Sequence, residues 1–128
     1  MVDATRGERE FVHTLLDCGW LPHRAPSSGS ASKHALADVL AGNKTERIAG
    51  EVKTTDTERI YISSEQIDGL LEVAEYFQAT PIVVLRFNRD TTLYVQEVKH
   101  LTKSRGDSYR IDKSVVRVEW PTAVEYLS

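Results

Sequence analysis

Apolar residues recur at two periods along this chain. Phe11, Val12, Leu15 and Leu16 return every three to four positions within residues 6–18, the spacing that gives a helix one apolar face. Gly19 follows as a stop signal. Residues 20–24 read as a short strand ended by Pro26, and residues 27–32, Ser-Ser-Gly-Ser-Ala-Ser, as a flexible loop. Residues 37–41 and 47–54 read as two strands of a hairpin turning through Gly42-Asn43-Lys44-Thr45. Ile60-Tyr61-Ile62 is a short extended piece.

A second helix is predicted over residues 63–77. Ser63 and Gln66 form a capping box, and Ile67, Leu70, Leu71, Ala74 and Phe77 form its apolar stripe. Pro81-Ile-Val-Val-Leu85 is a continuous apolar run, as expected of a strand covered on both faces. Residues 92–97 and 109–111 are further strand candidates, and residues 122–127 suggest a terminal helical turn. The sum is an α/β fold, a mixed central sheet flanked by helices, in one domain over residues 1–128.

Four charged residues interrupt this pattern where packing favours apolar ones. Glu8 lies about 20° from Leu15 around the first helix, at the edge of its buried stripe, whereas Glu10 and Asp17 point the other way. Asp38 sits among Leu36, Ala37, Val39 and Leu40. Glu51 and Lys53 are two apart on a strand and leave it on one side, with Val52 on the other. A hairpin centred near Lys44 and Thr45 opposes 42 to 47, 40 to 49 and 38 to 51. Asp38 and Glu51 then become cross-strand neighbours about 5 Å apart, which destabilises a sheet unless a cation joins them. Two carboxylates suit a hard ion, Mg2+ with Mn2+ as a substitute. Such an ion, held by Asp38, Glu51 and the Val52 carbonyl, activates a water. Lys53 beside it positions that water or offsets phosphate charge. This is the chemistry of phosphodiester hydrolysis.

Asp38 followed by Glu51-Val52-Lys53 resembles the signature of the PD-(D/E)XK nuclease superfamily. The flanking pattern narrows the resemblance: Gly7-Glu8-Arg9-Glu10, Gly19-Trp20, Arg24-Ala25-Pro26-Ser27-Ser28-Gly29-Ser30, Ile60-Tyr61-Ile62 and Phe77-Gln78-Ala79-Thr80-Pro81. Together these are similar to archaeal-type Holliday junction resolvases over residues 6–87. The resemblance implies a restriction-endonuclease-like fold and a homodimer that cuts four-way DNA junctions by paired nicks with a divalent metal. It implies Asp38 and Glu51 as metal ligands, Lys53 as the catalytic lysine and Glu8 as the helix-borne acid of the site, also a candidate metal ligand. It further implies Ser28 in a catalytic loop, and Arg9, Arg24, Ser28, Ser30 and Arg86 as DNA contacts. The sequence departs from the family at Ala37, where Pro is usual, and at Val73, where an aromatic is common on the second helix. Val73, Tyr76 and Phe77 nevertheless extend the apolar surface of that helix and suggest a subunit contact.

Composition excludes more than it selects. With 16 Lys+Arg against 19 Asp+Glu the chain is no histone-like basic binder, but a basic patch on an acidic protein still meets DNA. The single cysteine, Cys18, excludes a disulfide scaffold and a Cys-rich zinc site and fits a reducing, intracellular setting, cytoplasmic, nucleoid-associated or viral. No apolar run approaches the roughly 18–20 residues of a membrane span, and the charged residues 1–10 resemble no signal peptide. The four histidines show no metal spacing. Lys99-His100 and Lys103-Ser104-Arg105 form a basic surface segment, and Trp20, Tyr61, Phe77 and Trp120 are expected in the core. Rival readings are a nuclease of the same fold acting on flaps, mismatches or specific duplex DNA, a non-catalytic DNA-binding module, and a metal-regulated structural protein.

Overall fold

The computed structural model describes residues 4–25, 37–87, 92–104 and 106–113. Helix α1 (Ala4–Asp17) precedes strands β1 (Leu21–Arg24), β2 (Val39–Gly42), β3 (Arg47–Thr55) and β4 (Arg59–Ser63). Helix α2 (Ser64–Phe77), β5 (Thr80–Phe87), β6 (Leu93–Glu97), a 3-10 turn (Val98–His100) and β7 (Ser108–Asp112) follow. The expected loop at 27–32 and helical turn at 122–127 lie outside the described residues.

Five strands form a mixed sheet in the order β1-β2-β3-β5-β6. Only β3 and β5 are parallel, because the connection between them crosses over through β4 and α2. β4 pairs instead with β7 in a separate two-stranded ribbon. Helix α1 covers one face of the large sheet, where Phe11, Leu15 and Trp20 pack on Val39, Ile48, Val52, Ile82 and Val84. Helix α2 and the ribbon cover the other, where Ile62, Ile67, Leu70 and Ile111 pack on Ala49, Val83 and Leu85. Alternate residues of β5 therefore enter different cores, which is why its sequence reads as one unbroken apolar run. Among the described residues no helix is long and apolar enough to cross a membrane.

Local chemistry sets the element ends. Gly19 takes φ +87° after α1, and Trp20 N–H donates back to the Leu15 carbonyl at 2.9 Å, closing the helix with a left-handed turn. The capping box of α2 forms in both directions: Gln66 N–H donates to Ser63 Oγ at 3.1 Å and Ser63 N–H to Gln66 Oε1 at 3.3 Å. In the β2–β3 turn, Asn43 Oδ1 accepts from the N–H of Glu46 at 2.8 Å and of Thr45 at 3.2 Å. This side-chain mimic of a turn bond fixes the hairpin loop.

Several expected burials are corrected. Ile67, Leu70 and Ala74 are buried on α2, but Leu71 and Phe77, assigned to the same stripe, are exposed. The helix is covered along a narrower line than the stripe, through Ile67, Leu70 and Ala74. Trp20 is in the core as expected, whereas Tyr61 is 56% exposed on the outer side of the ribbon; Trp120 lies outside the described residues.

Candidate active site

The β2–β3 register brings the charged residues together. Gly42 pairs with Arg47 and Leu40 with Ala49, as the hairpin arithmetic requires. The ladder stops at Val39 opposite Gly50, one step before the anticipated 38–51 pair. There the Asp38 backbone turns aside. Its N–H donates to Gly50 O at 2.9 Å, its carbonyl accepts from Ala25 N–H at 2.9 Å, and its Oδ2 accepts from Val52 N–H at 2.8 Å. The carboxylate thus satisfies a β3 amide that β2 has ceased to serve.

Glu51 and Lys53 leave β3 on the same side as Ala49, and Glu51 is only 6% exposed. Lys53 Nζ stands 3.5 Å from Glu51 Oε1. The Asp38 and Glu51 carboxyls are close enough to act directly on one another. Burial, reinforced by the Asp38 charge, pushes Glu51 up to about 7, against the pull of Lys53. Burial also raises Asp38, opposed by the Val52 amide and Lys53.

Helix α1 supplies the fourth group. Glu8 is half-buried, and Arg24 Nη2 from β1 stands 3.6 Å from its Oε1. Burial raises its carboxyl above the usual range, Asp38 adds to the rise, and Arg24 opposes it. The approach of α1 depends on Gly7: a Cβ there would stand 2.8 Å from Thr54 Oγ1 and 3.3 Å from Val52 Cγ1, too close for any larger residue without movement.

Glu8, Arg24, Asp38, Glu51 and Lys53 therefore converge at one end of the sheet, with Val52 between the last two. Arg9 is exposed on the next position of α1. Ser28 and Ser30 lie outside the described residues. Arg86, expected as a DNA contact, is buried in the free chain. It is 3% exposed, and its Nε donates to Glu10 Oε2 at 2.8 Å. Glu10, expected to face solvent, is turned to the sheet by that pair. The pair spans 76 positions, and neither residue carried a signal of the other in the sequence. Gly7 did carry one, since glycine inside a helix costs about 1 kcal/mol and needs a packing reason. On α2, Val73 packs partly into the core, and Tyr76 and Phe77 are 80% and 53% exposed.

The donor set fits a hard divalent cation. Two carboxyl groups lie side by side, Glu51 buried and Asp38 partly so, and Lys53 beside Glu51 sits at the long end of ion-pair distance while Arg24 acts on Asp38 from farther off. Among the described residues no group of three His, Cys, Asp or Glu forms a ready metal cage, and Glu8 faces Arg24 instead.

A mixed sheet between two helices, with an Asp…Glu-X-Lys cluster where β2 and β3 part, defines an endonuclease of restriction-endonuclease-like fold. The chain belongs to the archaeal Holliday junction resolvase family, whose model matches residues 4–127. It is 31% identical over 108 residues to the crossover junction endodeoxyribonuclease Hjc of Methanocaldococcus jannaschii, covering 84% of this chain and 74% of that one. To the enzyme of the same name from Sulfurisphaera tokodaii it is 32% identical over 110 residues, covering 85% and 75%. The crystal structure of Archaeoglobus fulgidus Hjc, a Holliday junction resolvase from an archaeal hyperthermophile, superposes with a TM-score of 0.78 at 28% identity, covering 88% of this chain and 90% of that one.

Proposed function

We propose that this chain resolves four-way DNA junctions by hydrolysing one phosphodiester in each of two opposed strands, acting as a homodimer with Mg2+. The observation that carries the reading is the Asp38–Glu51 carboxylate pair, buried at Glu51 and beside Lys53, in a fold shared with a solved junction resolvase.

Asp38 and Glu51 would hold the ion, completed by the Val52 carbonyl and water, since Mg2+ keeps several waters and takes few protein ligands. When bound, it supplies Lewis acidity at a phosphoryl oxygen and a water of lowered pKa. Mn2+ has the same ligand preference and would substitute. Lys53 positions the attacking water and offsets charge developing on the phosphate. Glu8 stands across the site, where it orients the groups that Asp38 and Arg24 touch. Arg9 and Arg24 take backbone phosphates, with Ser28 and Ser30, which follow β1 in the sequence, serving the same strand. Contacts of this kind read the shape and charge of DNA rather than its bases. In-line attack leaves 5′-phosphate and 3′-hydroxyl ends. Two exposed aromatics on one turn of α2, Tyr76 and Phe77, with Val73 beneath them, support a contact with a second copy.

The test is nicking of a labelled four-way junction beside a linear duplex of the same arms, with and without Mg2+. Paired, metal-dependent nicks near the branch point, lost in Glu51→Ala, are expected. Equal cutting of both substrates would leave a nuclease without junction selectivity. Tight binding without cutting would leave a binding module.

A further inference from the structure

Helix α1 meets the sheet along Gly7, Glu10 and Phe11. Gly7 lies against Thr54 and Val52, Phe11 is fully buried beside Gly50, and Glu10 reaches Arg86 on β5. Arg86 is paired in register with Thr54, so the Gly7 and Glu10 contacts fall on one spot of the β3–β5 surface. At about 100° per residue, Glu8 leaves the helix about 100° to one side of Gly7, and Glu10 about 60° to the other. The two glutamates therefore occupy opposite flanks of the same turn. A bond on one flank fixes the roll of the helix, and the roll sets where the other flank points.

We infer that the Glu10–Arg86 pair is a positioning strap for the active site: it locks the roll of α1 so that Glu8 stays against Asp38 and Arg24. This rests on the role given to Glu8 above. The pair is built for the purpose. Arg86 is 3% exposed and cannot turn to solvent, and its Nε holds Glu10 Oε2 at 2.8 Å. The other oxygen of Glu10 accepts from Arg6 Nε at 3.2 Å, one turn earlier on the same helix. The carboxylate is thus held from both sides. Side chains reach about 5 Å from the helix axis, so a roll of about 10° carries Glu8 by about 1 Å. A displacement of that size is enough to cost as much as about 100-fold in rate. Arg86 thereby serves the site from beneath the sheet surface, without touching DNA.

The experiment is a double-mutant cycle on the full chain. Single-turnover cleavage of a four-way junction is measured for wild type, Glu8→Gln, Glu10→Ala and the double variant, with junction Kd and thermal melt alongside. Glu10→Ala is expected to slow cleavage at saturating protein by about 10-fold or more with Kd within about threefold. In the Glu8→Gln background the same change is expected to cost less than twofold, because the residue it positions is already disabled. Arg86→Met, which cuts the same bond from the β5 side, carries the test in both Glu8 backgrounds if Glu10→Ala does not fold. Arg86→Lys is expected to restore part of the rate lost in Arg86→Met. Equal losses in both Glu8 backgrounds would overturn the strap while leaving the role of Glu8 intact. A loss in Kd alone would assign Glu10 and Arg86 to DNA contact and overturn it also. Full activity of Glu8→Gln would remove the role of Glu8 itself, and the strap with it.

Discussion

At Glu51, burial and a second carboxylate act together against ionisation, and the sign of the consequence for stability follows. Its carboxyl stands at about 7 in the fold against 4.5 when unfolded, so between those values the folded chain binds the extra proton. Stability contributed by this group is present below about 4.5 and is lost as pH rises through about 7. Converted at 1.36 kcal/mol per unit, the loss is on the order of 3 kcal/mol for the coupled Asp38–Glu51 pair, shared rather than owned by either residue. Asp38 and Glu8, both raised, act in the same direction. In EDTA the denaturant midpoint is therefore expected to fall between about pH 5 and about pH 8, and Glu51→Gln to flatten that fall while abolishing cleavage. Mg2+ is expected to raise the wild-type midpoint at the higher pH and to leave that of Glu51→Gln unmoved. A wild type whose midpoint ignores both pH and Mg2+ would mean that the carboxylates are already neutralised by the protein.

Elements carry two further expectations, and they separate stability from chemistry. Ser63→Ala removes a cap that satisfies one amide of α2 and frees its partner Gln66; the expected cost is about 1 kcal/mol, read as a lower melt, with an unchanged single-turnover rate. Gly7→Ala should do the reverse in proportion. The added methyl meets Thr54 Oγ1 at 2.8 Å and must push α1 off β3, which costs about 1–3 kcal/mol and moves Glu8, so the rate should fall further than the melt suggests. The same elements show how far the sequence could be read. Periodicity located both helices and the buried β5, and the hairpin arithmetic placed Gly42 on Arg47 and Leu40 on Ala49, because period and register are local quantities. The parting of β2 from β3 at Asp38 was not legible, since it depends on Ala25 capturing the Asp38 carbonyl from a different strand end. Nor was the Glu10–Arg86 pair, which forms only after two elements 76 residues apart have docked. The Asp38, Glu51 and Lys53 cluster was legible for the opposite reason: charges on apolar strands violate the pattern that packing imposes.

At the scale of the molecule, one site cuts one strand, while a four-way junction must lose two opposed phosphodiesters to become two intact duplexes. A twofold dimer answers this by geometry, because an isologous contact places two identical sites in fixed relation. The face proposed above for that contact is the end of α2, where Tyr76 and Phe77 stand 80% and 53% exposed while Val73 packs inward. Tyr76 and Phe77 are consecutive exposed aromatics at the end of that helix, and Val73, one turn earlier, is partly covered by the core. A charge placed there is solvated in the single chain and would be desolvated in the proposed dimer, so it would act on association far more than on folding. Tyr76→Asp with Phe77→Asp should therefore sediment as a monomer with a near-normal melt. On a supercoiled plasmid extruding a cruciform, paired nicks within one bound complex yield linear DNA. A single nick relaxes the plasmid and destroys the substrate, leaving an open circle. The wild type is expected to give mainly linear product and the double variant mainly open circle, with the first-nick rate reduced only as far as binding weakens. A variant that stays dimeric and still makes linear DNA would move the subunit contact away from α2. A monomer that still makes linear DNA would mean that pairing of the cuts comes from the junction and not from the protein.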